Sequence, residues 1–423
     1  MNILVLNQCF YPDVAATGQY ATDLAVALAR QGHEVTVIAS ERAYDDPKVR
    51  FLRTQIYKGI HIVRPSCTGF GKRAKWRRAV DYVTFYLGCL LRLIRMPRSD
   101  AVLAMTTPPL ISFLAALYVR LRGGALYLWM MDLNPDLAVA AGLLRADAPL
   151  TKLLQSCLHY SLRQARRIVV LDRFMKDRIG AKGVHQDRLA VIPPWSLDTS
   201  VWHDEAGRFA FREKHGLIGK FVVMFSGNHS PYQPLETLLE VAGRLAGHPE
   251  VAFCFIGGGA AFGKVRRFAE ERRLPNVLCL PYQPLECLSA SLSAGDLHVV
   301  LMGDPFVGIV HPCKIYNILA LGIPFLYIGP AESHITEMLP QGAVGDWVYL
   351  FGPGEVEAIA QCITGCAQAG PRRVEAEMRL AEKFSQRTLV PRFVDLLEQE
   401  RSPALVGMES QNLDGDSQQR GWS

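Results

Sequence analysis

Phe221-Val222-Val223-Met224-Phe225-Ser226-Gly227-Asn228-His229-Ser230-Pro231 is an apolar run ending in glycine and turn residues, and it follows a proline interruption at Ile192-Pro193-Pro194-Trp195. A short apolar run bounded by turn signals reads as a buried strand. Because it restarts a pattern the prolines had stopped, it predicts a second domain. A helical pattern over 235–245 and another apolar run over 251–256 follow, so this half opens strand, helix, strand.

Working back, the first half opens in the same way. Residues 3–6 are apolar, 7–19 are turn-rich, 20–30 place Leu24, Ala25, Leu28 and Ala29 on one helical face, and 34–38 are apolar again. Gly32 supplies the helix stop between them. Buried strands joined through a helix pair side by side by a crossover, which gives a parallel sheet. The alternation continues through 60–63, 101–105, 126–130 and 168–171. The expected fold class is α/β, with two Rossmann-like, doubly wound domains facing across a cleft: 1–192, a linker at 193–203, and 204–380.

A chain of 423 residues exceeds one comfortable core, in keeping with two domains. With 49% hydrophobic and 20% charged residues, a disordered chain is excluded, and the net charge of +6 suits an anionic partner. The ten cysteines show no zinc-ribbon or thioredoxin spacing and read as reduced thiols of a cytosolic protein. The N-terminus lacks the features of a signal peptide. Residues 101–119 carry no charge, but Thr106-Thr107-Pro108-Pro109 splits them into a strand and a helix rather than a membrane span. Residues 401–423 turn to Ser, Gln, Gly and Asp and read as a disordered tail. Asp414-Gly415-Asp416 lies there without an adjacent strand, so no metal site is expected.

In two facing doubly wound sheets, ligands gather at the carboxyl ends of the strands, where helix N-termini present free N–H groups. After the first strand come Asp13 and Thr17-Gly18-Gln19, either a place for a phosphate or sugar or a simple helix-entry turn. After the restart strand, Gly227, Asn228 and His229 combine a small residue, an amide and an imidazole, with a capped loop histidine as the alternative. Phe255-Ile256-Gly257-Gly258-Gly259 repeats the strand-to-glycine transition. The densest segment is Gly308-Ile309-Val310-His311-Pro312-Cys313-Lys314-Ile315-Tyr316-Asn317, in which a helix begins just after Pro312. Its free N–H groups and Lys314 suit a diphosphate, and Asn317 shares that face; the alternative is a surface lysine on a core helix. Asp132 follows the 126–130 strand at the cleft edge and either orients substrate hydroxyls or caps a helix.

Together, Tyr11-Pro12 with Thr17-Gly18, Gly227-Asn228, Ile256-Gly257-Gly258-Gly259, Leu280-Pro281-Tyr282, Ala294-Gly295-Asp296 and Lys314-Ile315-Tyr316-Asn317…Gly322-Ile323-Pro324 resemble the retaining GT-B glycosyltransferases of family 4, especially the branch building bacterial cell-surface polysaccharides. The resemblance implies a sugar transfer from a nucleoside-diphosphate donor with retention of configuration and no metal or cofactor. It implies donor contacts at Gly18, Gly227, Asn228, His229, Gly258, Tyr282, His311, Lys314 and Asn317, with Tyr282 near the base and Asn317 near the ribose. Acceptor contacts fall on Asp13 and Thr17, and Asp132 is the catalytic candidate. A helix at 381–400 would cross back to the first domain.

Two departures qualify this expectation. Ile309 and Asn317 stand where many members have two glutamates, and the loop after Gly227 lacks the usual Arg and Lys pair, leaving neutralisation to Lys314, His229 and helix N-termini. A catalytically silent GT-B protein is therefore the alternative. A nicotinamide dehydrogenase is disfavoured because residues 7–19 contain one glycine, Gly18. Between Lys72 and Arg98, eight basic residues oppose only Asp81 and alternate with apolar side chains, as suits an anionic membrane surface. The expected partners are a nucleotide sugar, a polyprenyl-diphosphate-linked or saccharide acceptor and that surface, with no nucleic acid. The expected location is cytoplasmic, peripheral on the inner face of the plasma membrane.

Overall fold

The computed structural model describes residues 1–13, 15–44, 46–71, 75–196 and 201–399. The expected tail with Asp414-Gly415-Asp416, residues 72–74 of the basic segment and residues 197–200 of the linker lie outside the described residues.

The first lobe holds β1 Asn2–Leu6, β2 Glu34–Ile38, β3 Thr54–Tyr57, β4 Ile60–Val63, β5 Ala101–Ala104, β6 Ala125–Trp129, β7 Arg167–Val170 and β8 Leu189–Val191, in the order β3-β4-β2-β1-β5-β6-β7-β8. All neighbours are parallel except β3 with β4. The second lobe holds β9 Phe221–Asn228, β10 Val251–Gly258, β11 Val277–Leu280, β12 Leu297–Leu301, β13 Phe325–Ile328 and β14 Val348–Phe351, in the order β11-β10-β9-β12-β13-β14. Strand order reverses beside β1, which pairs β2 and β5, and beside β9, which pairs β10 and β12. The loops after β1 and β9 therefore leave the sheets at the two topological switch points, where such folds bind ligands.

Central strands are apolar on both faces because helices cover both sides: Leu4, Val37, Val102, Leu128 and Ile168 in one lobe and Val223, Phe253, Val299 and Leu326 in the other are essentially inaccessible. The edge strands β3 and β8 were not legible, because β3 is half-exposed with no apolar run and β8 is only three residues long before the prolines. Below the second sheet, Asp296 accepts from Arg208 at 2.6 Å, from Arg212 at 2.5 Å and from the Val222 amide at 2.8 Å. This buried ionic knot ties the helix Glu205–Lys214 to β9.

Two boundaries differ from the sequence expectation. The first helix runs Ala16–Arg30, so Thr17 and Gly18 lie in its first turn and not in the preceding loop. Its early residues escaped notice because the apolar face starts only at Tyr20. A Cβ on Gly18 would come within 3.1 Å of the Cys9 carbonyl carbon, so this glycine lets the helix lie on the loop after β1. The 381–400 segment divides into the end of a helix at Glu375–Glu382 and a second helix at Gln386–Gln399. The latter buries Leu389, Phe393, Val394 and Leu397 in the core of the first lobe, with the Phe393 ring 4.6 Å from Trp129. Each such apolar side chain stabilises the packing by about 1.5–3 kcal/mol.

Among the described residues, no helix is long and apolar enough to cross a membrane. The uncharged 101–119 stretch forms β5 and most of the helix Ile111–Arg122, joined through the two prolines.

Candidate active site

The second-lobe wall of the cleft is built where β9 and β10 end side by side. The His229 amide donates to the Gly258 carbonyl at 2.7 Å, locking the two loops together. Gly257 has φ +130, and a Cβ there would collide with the Gly227 carbonyl oxygen and lie 3.3 Å from Tyr282. Only glycine permits this approach. A Cβ on Gly258 would lie 2.8 Å from Tyr282, so the half-exposed Tyr282 ring covers the glycine turn.

Lys314 opens the helix Lys314–Leu321, which Gly322 closes in the left-handed conformation. Its Nζ is enclosed, lies 3.3 Å from the centroid of Phe225 and has no hydrogen-bond partner among the described residues. A Cβ on Gly227 would lie 3.5 Å from that Nζ, which places the cation beside the glycine turn. Burial without a carboxylate brings its pKa down to about 7. Asn317 lies one turn further along and is partly buried.

The structure gives His229 a different task from charge neutralisation. Its ring is inaccessible, packed at 4.7 Å from Phe262 and 4.8 Å from Phe225. Burial and the neighbouring Lys314 push its pKa down to about 4. The neutral ring has Nδ1 3.1 Å from the Gly227 carbonyl oxygen and 3.2 Å from that of Gly258, while Nε2 has no hydrogen-bond partner among the described residues. It shapes the loop, with Asn228 exposed beside it.

His311 lies at the seam between the lobes. Its Nδ1 is 2.7 Å from Asp172 Oδ2 and its Nε2 is 2.6 Å from the Tyr316 hydroxyl, so both ring nitrogens are engaged within the protein. His334 stacks on it at 3.7 Å between centroids, and burial, then His311, drives the His334 pKa far below the usual range. Burial alone would raise the Asp172 carboxyl, but His311 and His334 together bring it below its ordinary value. Asp172 also caps the helix Arg173–Gly180, accepting from the Met175 amide at 2.7 Å. The seam continues through Arg173 with Glu337 at 2.6 Å, Arg178 with the Val307 carbonyl at 2.6 Å, and the Leu133 amide with the Ile309 carbonyl at 2.9 Å. Ile309 is buried and packs with the first-lobe core.

That last bond holds the loop carrying Asp132. The Asp132 carboxylate makes no hydrogen bond among the described residues, and burial raises its pKa to about 6. It lies within electrostatic range of Tyr44 of its own lobe and of Tyr232 and Cys313 of the other. Asp13, by contrast, is committed to local structure, accepting from the Tyr44 amide at 3.0 Å and the Ala15 amide at 3.4 Å. Thr17, in the first helical turn, is partly buried. Sequence reasoning missed Tyr44 and Tyr232, from two loops, and Arg78 and Tyr82, from the helix Lys75–Arg95, which gather near the cleft. Their only sequence signal was a tyrosine in each of two turn segments and an arginine hidden in a basic run.

Two facing Rossmann-like lobes with a glycine-lined switch point give the chain the GT-B fold of nucleotide-sugar glycosyltransferases. Residues 16–195 match the family described as glycosyl transferase 4-like domain. The chain is 26% identical over 412 residues to WcaI of Escherichia coli strain K12, assigned as a colanic acid biosynthesis glycosyl transferase, covering 92% of this chain and 96% of that one. By fold it is similar to sucrose-phosphate synthase from Thermosynechococcus elongatus, with a TM-score of 0.72 and 14% identity over 94% of this chain and 99% of that one. It is also similar to Anabaena Alr3699/HepE in complex with UDP-glucose, with a TM-score of 0.68 and 15% identity over 94% and 99% of the two chains.

Proposed function

We propose that the chain transfers a sugar from a nucleoside-diphosphate donor to a lipid-linked or polysaccharide acceptor, with retention of configuration and without a metal ion, at the inner face of the plasma membrane. The observation that carries the donor reading is Lys314: an enclosed ammonium without a hydrogen-bond partner among the described residues, beside a glycine turn at a switch point. A buried cation left unpaired is costly in the empty protein and is relieved by an anion. The donor diphosphate lies along Gly227 and Lys314, with the base toward Tyr282 and the ribose toward Asn317. The protein's work is to position the acceptor hydroxyl and to stabilise charge growing on the departing phosphate. Asp132, close to both walls, orients hydroxyls of the reacting sugars.

The acceptor side of the reading rests on the helix Lys75–Arg95. Phe85, Cys89 and Leu93 face the core, while Trp76, Val83, Leu87, Leu91 and Ile94 are exposed together with basic residues of the same helix. An apolar face fringed by arginine suits an anionic bilayer. The test is transfer from UDP- and GDP-sugars to a lipid-diphosphate-linked sugar, with and without chelator, reading the product's anomeric configuration by NMR. A chelator-insensitive product with the donor's configuration supports the proposal. Inversion, or metal dependence, removes that part of it, and donor binding without product leaves a nucleotide-sugar-binding scaffold.

A further inference from the structure

A nucleoside diphosphate brings about two to three negative charges to the cleft, and a site of this kind needs matching cations on fixed elements. Residues 229–234, the loop after β9, contain neither Lys nor Arg, and Lys314 supplies one charge at most. His229 is neutral at physiological pH. The second lobe is thus short of positive charge where its diphosphate would lie.

Arg78, on the first lobe, is placed to make up the difference. Its Nε donates to the Tyr82 hydroxyl at 2.7 Å, and its guanidinium carbon lies 5.3 Å from the centre of that ring. These contacts fix the side chain while its two amino groups make no hydrogen bond or ion pair with any described residue. Arg78 lies within electrostatic range of Tyr44 and of Tyr232, the same two residues that neighbour Asp132. Tyr232 belongs to the opposite lobe, where its ring packs 5.0 Å from Phe306. The arginine and the aspartate therefore flank one region between the lobes.

Beside Arg78 is a cavity of about 50 Å³, with Gln8, Asp13, Arg42, Tyr44 and Tyr82 among its walls. At roughly 10–15 Å³ for each water-sized probe it admits about four, room enough for a phosphoryl group. The two carboxylates lining it are occupied. Asp13 accepts from the Tyr44 and Ala15 amides, and Asp81 accepts from Thr68 Oγ1 at 2.6 Å and the Phe70 and Gly71 amides at 3.0 and 2.9 Å. Arg42 donates to the Pro47 carbonyl at 3.0 Å. Arg42 also lies 4.0 Å from the Glu41 carboxylate, whereas Arg78 has no carboxylate or carbonyl partner among the described residues.

We propose that Arg78, steadied by Tyr82, forms a phosphate-binding subsite on the first-lobe wall of the cleft, taking a diphosphate ester between the lobes. The subsite rests on the glycosyltransferase reading above and adds a second cation to it, contributed by the lobe that carries the membrane-facing helix. A guanidinium fork binds phosphate oxygens in pairs, which an ammonium cannot do. The diphosphate can belong to the donor nucleotide or to an isoprenoid acceptor, and two probes separate them.

The experiment is calorimetric binding of UDP, of farnesyl diphosphate and of phosphate-free uridine to the wild-type chain, Arg78→Gln and Arg78→Lys, with melting temperatures recorded for each. Arg78→Gln is expected to weaken at least one diphosphate by about tenfold or more, to leave uridine unchanged, and to be only partly rescued by Arg78→Lys. Loss of UDP affinity places the donor there, and loss of farnesyl diphosphate affinity places the acceptor there. If wild type binds a diphosphate and a normally folded Arg78→Gln binds it within twofold, the subsite is overturned. If wild type binds neither diphosphate, the donor reading falls, and the subsite with it.

Discussion

The Nζ of Lys314 lies 3.3 Å from the centre of the Phe225 ring, enclosed and without a hydrogen-bond partner among the described residues, although it opens a helix whose free N–H groups already carry partial positive charge. The face of an aromatic ring gives a desolvated ammonium some compensation, about 2 kcal/mol or somewhat more, short of what a carboxylate or phosphate supplies. An arrangement this costly in the empty protein is one that an incoming anion relieves.

On the proposed donor site, the lowered pKa of Lys314, about 7, would couple donor binding to protons. A phosphate favours the charged amine, so binding at pH 8 takes up protons, and affinity falls as pH rises above 7. Calorimetry in buffers of differing ionisation enthalpy measures the uptake. The prediction is a fractional proton taken up by wild type beyond that of Lys314→Arg, which stays charged throughout.

Asp132→Asn separates stability from activity. Burial holds the carboxyl at about 6 against an ordinary 3.8, so its ionisation costs the folded state nothing below pH 3.8, and the full penalty is reached above pH 6. At pH 7.5 the amide variant is expected to be more stable by about 1–2 kcal/mol, a gain that vanishes toward pH 4. Transfer should fall by about a hundredfold or more if Asp132 orients the reacting sugars. Melting curves against pH, with initial rates, read both effects.

Gly257→Ala tests the glycine turn. At φ +130 any Cβ is strained, and this one meets the Gly227 carbonyl. Displacing the turn should cost about 1–3 kcal/mol of stability and remove most of the nucleotide affinity. Denaturant melts and nucleotide titration check the two together.

Asp296→Ala strips a carboxylate from two buried arginines and the Val222 amide. Leaving those charges uncompensated should destabilise the second lobe by about 3–5 kcal/mol. Urea unfolding is the measurement, with little change expected in first-lobe melting if the lobes report separately.

Much of the fold was legible because central strands buried on both faces write continuous apolar runs, as 221–225 and 251–256 do. The restart at Phe221 alone announced the second lobe. What escaped had physical reasons: β3 is a half-exposed edge, β8 is only three residues long, and the first turn of the helix Ala16–Arg30 is too polar to carry an apolar face. The site was legible in part. Lys314 and the glycine turn declare themselves through helix start and strand end, which are local signals. That His311 spends both nitrogens on Asp172 and Tyr316, that burial neutralises His229, and that Arg78 comes within electrostatic range of Tyr232 are properties of segments brought together by the fold, and no spacing encodes them.

The most direct test of the donor site is the dissociation constant of UDP and of GDP for wild type and Lys314→Met, measured in chelator. Saturable binding to wild type, weakened in a folded Lys314→Met by about 1–3 kcal/mol, is the expected result. Binding unchanged by the substitution would take Lys314 out of the site and contradict the account.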